Sequence, residues 1–197
     1  MWHVILFDSE VREQLLPLTF TRPVGDLRVG ALTIREKWEK WLNAKVSFIT
    51  QDYLASKFPI DYGDENIVIN GSVMPSDRLI RLIRQMEFNE AYLKGEELIV
   101  AKLDREQLEK LIHDEDIDQL HVYDIEDTPF LKIDHPWDIF MHNAAALEED
   151  FQLLTQGRDS QPLSESNRII GDPARIFLEE GAKVEGVSLN TVDGPIY

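Results

Sequence analysis

Apolar positions along this chain fall into short blocks that alternate between two periods. Trp2-His3-Val4-Ile5-Leu6-Phe7 is an apolar run that begins almost at the first residue and stops at Asp8-Ser9, as a buried first strand does. Ile34 to Leu42 keeps the helical period, with Ile34, Trp38, Trp41 and Leu42 on one side and Arg35, Glu36, Lys37, Glu39 and Lys40 on the other. Lys45–Ile49 then predicts a strand, Tyr53–Phe58 a short helix, and Ile67–Asn70 a third strand that ends at Gly71. Leu79, Leu82, Ile83 and Met86 give Arg78–Met86 a helical spacing. Glu97–Ala101 predicts a fourth strand, and Arg105–Ile112 a helix carried by Leu108, Leu111 and Ile112. This alternation predicts an α/β chain built from βαβ units. The acid-rich stretch from Asp114 to Asp127 reads as a solvated surface rather than a site.

From Asn167 the period changes. Ile170, Ile176, the corner Glu180-Gly181-Ala182 and Val187 place apolar or small residues at intervals near six, the spacing of a hexapeptide β-helix. The expected organisation is therefore a domain over residues 1–165 followed by the start of a left-handed parallel β-helix over residues 166–197. One coil cannot bury its own inner face, since about three repeats are required for stability. Either the chain continues in a longer protein or a partner covers its end. Self-association into a dimer or trimer through Ile176, Val184 and Val187 is the expected cover.

Composition narrows the classes. With 197 residues and 43% hydrophobic content, the chain can bury one main core. The formal charge of −17 argues against sequence-independent binding to DNA or RNA, which requires a basic surface. A nucleotide needs only a local basic pocket and stays open. The absence of cysteine excludes a disulfide scaffold and thiolate metal sites, and fits a reducing compartment. No apolar stretch approaches a membrane span and no basic segment precedes the first apolar run, so the expected location is the cytoplasm.

Three segments carry candidate chemistry. The first is Leu16-Pro17-Leu18-Thr19-Phe20-Thr21-Arg22-Pro23, in the loop that leaves the first strand at its carboxyl end, where open α/β sheets bind ligands. Thr19, Thr21 and Arg22 are placed there to meet an anion, and arginine offers a planar fork suited to phosphate. An ordinary proline-punctuated turn explains the same residues. The second is Asn70-Gly71-Ser72, which also reads as a strand-to-helix turn capped by Ser76 or Asp77. The third runs from Phe130 to Asn143, where Asp138 is either a ligand-binding carboxylate or a helix cap. His135 has no second histidine at metal-ligand spacing, which argues against zinc.

In order along the chain, these segments resemble the sugar-1-phosphate nucleotidyltransferase family. Pro17-Leu18-Thr19 and Pro23 fall in register with its signature L-x-x-G-x-G-T-R-L-x-P-L-T-x-x-x-P-K-P-L, and Leu27–Trp38 resembles the segment that follows. Ile69-Asn70-Gly71-Ser72-Val73-Met74-Pro75 resembles L-x-G-D-x-P, and Pro136, Asp138 and Asn143 align with W-x-D-I-G-T-P-x-D-L-L-x-A-N. With the trailing repeat, the chain is similar to bifunctional uridyltransferase/acyltransferases and to a divergent group of sugar nucleotidyltransferases. The resemblance implies a GT-A-like Rossmann sheet, and nucleotidyl transfer from a nucleoside triphosphate to a sugar 1-phosphate with Mg²⁺. The candidate catalytic groups are Arg22, from its place in the first loop, and Asp134, the carboxylate nearest the second metal position of that pattern, with Thr19, Thr21, Asn70, Gly71, Ser72, Asp138 and Asn143 as candidate substrate contacts. The departures are as telling. The two loop glycines fall on Glu10 and Arg12, the following threonine and arginine on Glu13 and Gln14, and the loop lysine on Val24. The metal aspartate falls on Ser72 and the second metal ligand on Lys132, leaving Asp134 as the nearest carboxylate that can hold a metal. The alternative expectation is a catalytically degenerate domain that binds a sugar nucleotide or assembles a β-helical acyltransferase.

Overall fold

The structure is a computed structural model and describes residues 2–113 and 120–197. Its elements, in chain order, are β1 (His3–Phe7), α1 (Val11–Gln14), β2 (Arg28–Val29), β3 (Leu32–Thr33), α2 (Ile34–Leu42), β4 (Val46–Ile49), α3 (Asp52–Ala55) and β5 (Asn66–Asn70). There follow α4 (Asp77–Gln85), β6 (Glu90–Lys94), β7 (Glu97–Leu103), α5 (Arg105–Ile112), β8 (His121–Asp124), α6 (Pro136–Thr155), β9 (Arg168–Ile170) and β10 (Ser188–Asn190). Contacts divide the chain into two compact units, residues 1–28 with 32–139 and residues 29–31 with 140–197. The division falls within α6, ahead of the 165/166 boundary expected from the change of repeat.

In the first unit a six-stranded sheet runs β4-β1-β5-β7-β6-β8. Val4, Ile5 and Leu6 of β1 and Ile67, Val68 and Ile69 of β5 are all buried. Continuous apolar runs of this kind belong to strands covered on both faces. One core cluster joins Ile5, Val68, Ala91, Ala101, Leu103 and Leu108, so that β1, β5, β6 and β7 share it with α5. β1 pairs in parallel with β4 and β5, whereas β7 is antiparallel to both β5 and β6. The sheet is therefore mixed rather than a pure βαβ array. The reason is a hairpin, β6 to β7, turned at Gly95 with φ of 62°. Its first strand lacks a clear period in sequence, and β8 escapes notice because all four of its residues are exposed. β8 lies in the acid-rich stretch read as surface, part of which, residues 114–119, lies outside the described residues.

Helix starts are set by local chemistry. Thr33 accepts from the Glu36 N–H at 3.1 Å while Glu36 Oε2 accepts from the Thr33 N–H at 2.7 Å, a complete capping box for α2. Thr33→Ala is expected to lower stability by about 1 kcal/mol, read from the urea midpoint. Ser76 accepts from Leu79 N–H and starts α4, and Asp104 accepts from Gln107 N–H and starts α5.

In the second unit, Asn143 Oδ1 accepts from Gly30 N–H at 3.0 Å and Asp150 Oδ2 from Ala31 N–H at 2.9 Å, fixing the short 29–31 segment on α6. β9 and β10 pair in parallel, Arg168 with Ser188 through Ile170 with Asn190, and Ile176 forms a parallel bridge to Ile196. These make a two-stranded sheet and one bridge, not a stack of coils. Of the expected inward positions Ile176 is buried, while Ile170 and Val187 are exposed. No helix among the described residues is long and apolar enough to cross a membrane.

Candidate active site

β1 lies between β4 and β5, so the chain leaves β1 outward to β4 and then returns past it to β5. Such a reversal opens a crevice beyond the carboxyl ends of the two parallel strands it separates, here β1 and β5. The Asn70–Ser72 turn and residues 131–133 of the third segment meet there, beside the 3-10 turn that follows the first loop. Gly71 N–H donates to the Phe7 carbonyl at 2.9 Å. A Cβ on Gly71 would stand 3.0 Å from that same oxygen and 3.2 Å from Gly25 N, which is why glycine ends β5. Gly25, in the 3-10 turn Val24–Asp26 that closes the first loop, has Leu6 Cδ1 only 2.5 Å from where its own Cβ would lie. Beyond the turn, Met74 N–H donates to Leu131 O at 2.8 Å and Ile133 N–H to Ser72 O at 3.0 Å, and Val73 bridges Lys132.

The first loop is held by a buried polar knot. Asp8 Oδ1 accepts from Val24 N–H at 2.8 Å and Oδ2 from the Thr50 hydroxyl at 2.6 Å. Burial pushes the Asp8 carboxyl above its ordinary pKa, and these two hydrogen bonds and the Arg12 charge offset only part of that rise. Arg12 is buried as well, donating to the Thr19 carbonyl at 3.1 Å and to the Tyr53 hydroxyl. Its Nε lies 3.8 Å from Asp8 Oδ2, an ionic contact too long for a hydrogen bond. Tyr53 passes its own proton to Phe20 O at 3.0 Å.

Against this frame the expected contacts separate. Thr19 is fully buried and donates to Arg12 O at 2.9 Å, so it pins the loop and does not face a ligand. Thr21 and Arg22 are exposed, and Arg22 has no partner among the described residues. Asn70 is buried and saturated. It donates to Glu97 Oε1 at 2.9 Å and Leu98 O at 3.2 Å, and accepts from Ser72 N–H at 3.0 Å and the Ser72 hydroxyl at 2.8 Å. Ser72 therefore spends its hydroxyl proton on its neighbour. Asp138 accepts from the N–H groups of Asp134 and His135 at 2.9 and 2.8 Å, the return half of a capping box at the start of α6. His135 stacks on Trp137 with ring centroids 4.4 Å apart. Asn143 belongs to the second unit, where Gly30 occupies its oxygen.

Sequence reading missed Asp8, Arg12, Gly25 and Glu97. Arg12 carried a signal, since a cation standing where a loop glycine was expected needs a partner. Glu97 carried none, because only the hairpin brings it to Lys132. The Lys132 ammonium lies 2.5 Å from both Glu97 Oε2 and Asp134 Oδ1. Burial disfavours its charge, yet those two hydrogen bonds and carboxylate charges prevail and raise its pKa above the ordinary lysine value. The donor set for magnesium does not fit: Ser72 is engaged by Asn70, and Glu97 and Asp134 are closed on a lysine. Among the described residues no three His, Cys, Asp or Glu side chains are grouped to hold a metal.

The profile of the family described as Sugar nucleotidyl transferase matches residues 4–159, a range that includes all three candidate segments. The chain belongs to the sugar nucleotidyl transferase family. No curated protein matches the sequence. Similar solved structures include the CTP:phosphocholine cytidylyltransferase LicC of Streptococcus pneumoniae, 14% identical, covering 73% of this chain and 98% of its own, with a TM-score of 0.42. Another is a Bacillus anthracis protein assigned as a glucose-1-phosphate thymidylyltransferase and solved with sucrose. It is 11% identical and covers 75% of this chain and 96% of its own, with a TM-score of 0.45. In this chain the polar groups of Thr19, Asn70, Ser72 and Asp138 are engaged by internal partners.

Proposed function

We propose that this family member binds a nucleoside triphosphate and a sugar 1-phosphate in the crevice at the ends of β1 and β5, and joins them into a sugar nucleotide and pyrophosphate. The observation that carries the reading is that the Phe7 end of β1, the Asn70–Ser72 turn and residues 131–133 are tied together by backbone hydrogen bonds, with Gly25 of the 3-10 turn packed against Gly71. In the step proposed, a sugar phosphate oxygen attacks the α-phosphorus and the bond to the pyrophosphate oxygen breaks. Such transfer depends on positioning and neutralisation of charge. Arg22, exposed and unpaired, is the group of this chain offered for that charge. Arg22→Ala is expected to weaken nucleotide binding by ~1–3 kcal/mol, because a charge-assisted donor is lost. Unchanged affinity by calorimetry would remove Arg22 from the site.

A second reading, binding without transfer, is favoured by the saturation of Asn70 and Ser72 and by the closure of Asp134 on Lys132. Pyrophosphate release from a panel of nucleoside triphosphates with sugar 1-phosphates separates the two. Release that Arg22→Ala diminishes supports transfer, and saturable binding with no release supports a binding domain. The exposure of Ile170 and Val187 supports self-association through this segment. Light scattering on the 197-residue chain and on one ending at Ser166 tests that, with loss of oligomer in the shorter chain expected.

A further inference from the structure

We infer that Lys132 is a resident cation: its ammonium holds the position between Glu97 and Asp134 that a divalent ion would take, so the crevice works without bound metal there. The inference rests on the crevice being the ligand site and concerns the ion that site carries. Two carboxylate oxygens from elements far apart in sequence, one on β7 and one beside α6, each lie 2.5 Å from the same nitrogen. The lysine side chain is largely enclosed, whereas the Glu97 and Asp134 side chains are about one-third and two-fifths exposed, at 34% and 42%. The geometry is that of a cation with two anionic ligands and an open side toward solvent.

Magnesium bound by protein carboxylates asks for oxygen ligands at about 2.0–2.1 Å in a near-octahedral shell, with waters or phosphate oxygens completing it. An ammonium at hydrogen-bond distance from both carboxylates occupies that space and repels a second cation. Asn70 strengthens the arrangement, because its amide N–H fixes the other oxygen of Glu97. Lys132 is itself located by backbone, through the bridge of its residue to Val73, so the ammonium is delivered to the cluster by the same bridge that ties residues 131–133 to the turn after β5.

Removing the ammonium should therefore create the metal site. In the 197-residue chain, Mn²⁺ titration followed by electron paramagnetic resonance is expected to show no specific site in the natural protein. Lys132→Ala should gain one, bound roughly tenfold or more tightly than the surface background. Lys132→Arg, which keeps a cation, should gain none, and Asp134→Asn added to Lys132→Ala should abolish the gain. Thermal unfolding gives a second readout: Mn²⁺ should raise the midpoint of Lys132→Ala and leave that of the natural protein unchanged. A specific Mn²⁺ site in the natural protein that Asp134→Asn removes would overturn the inference. So would a folded Lys132→Ala variant with no gain. The ion is read with no nucleotide present, so this outcome is independent of the transfer reading, which pyrophosphate release decides.

Discussion

Trp38→Ala is expected to lower the stability of the first unit by about 3–5 kcal/mol, the range for emptying a large core site. Trp38 is fully buried on α2, and its indole N–H donates to the Val73 carbonyl at 2.8 Å. That carbonyl sits one residue past Ser72, in the turn that follows β5, so the side chain both packs the core and fixes that turn. Trp38→Phe separates them. It keeps most of the apolar volume and leaves a carbonyl without its donor, for an expected loss of about 1–3 kcal/mol. Urea unfolding of the three proteins measures both steps. An alanine variant as stable as the phenylalanine one would mean that the core around Trp38 collapses onto the gap and that the hydrogen bond is the whole effect.

The elements legible in the sequence were those whose burial is written in a repeating pattern. α2 and α5 have the bounds that their periods predict, and β1 and β5 are continuous apolar runs because both faces are covered. What stayed hidden has no such pattern. β8 exposes every residue, and β6 is recognisable only by its pairing with β7. In the site, the segments were visible as motifs but their wiring was not. A hydroxyl such as Thr19 reads the same whether it faces a ligand or a buried carbonyl. Only the fold reveals that Arg12 O takes its proton. Lys132 was read as a lost ligand, and the partner that changes its meaning, Glu97, arrives through a hairpin that reverses the expected strand direction. The helix-capping reading of Asp138, by contrast, needed only residues within a turn of it.

Arg12→Met is expected to cost about 3–5 kcal/mol near neutral pH, since it breaks a buried ionic contact and leaves the Asp8 carboxylate without its cation. The loss should also depend on pH, with a defined sign. The folded-state pKa of Asp8 is already raised above 3.8, chiefly by burial, so its ionisation opposes folding. The stability linked to it is fully present below 3.8 and is lost as pH rises through the folded value. Arg12 lowers that folded value, and removing it moves the window further upward. The deficit of Arg12→Met relative to the natural protein should therefore be smallest in acid and grow as pH rises toward about 7. Urea unfolding at several pH values measures it. Asp8→Asn in the Arg12→Met background should flatten the dependence, because the group that titrates is gone and the amide can still accept from Val24 N–H. A deficit that is constant with pH, or larger in acid, would mean that Arg12 acts only through Thr19 and Tyr53. In either case the loop from Asp8 to Pro23 loses its internal anchor, and the nucleotide binding proposed for Arg22 should fall in the same variant at pH values where the protein remains folded.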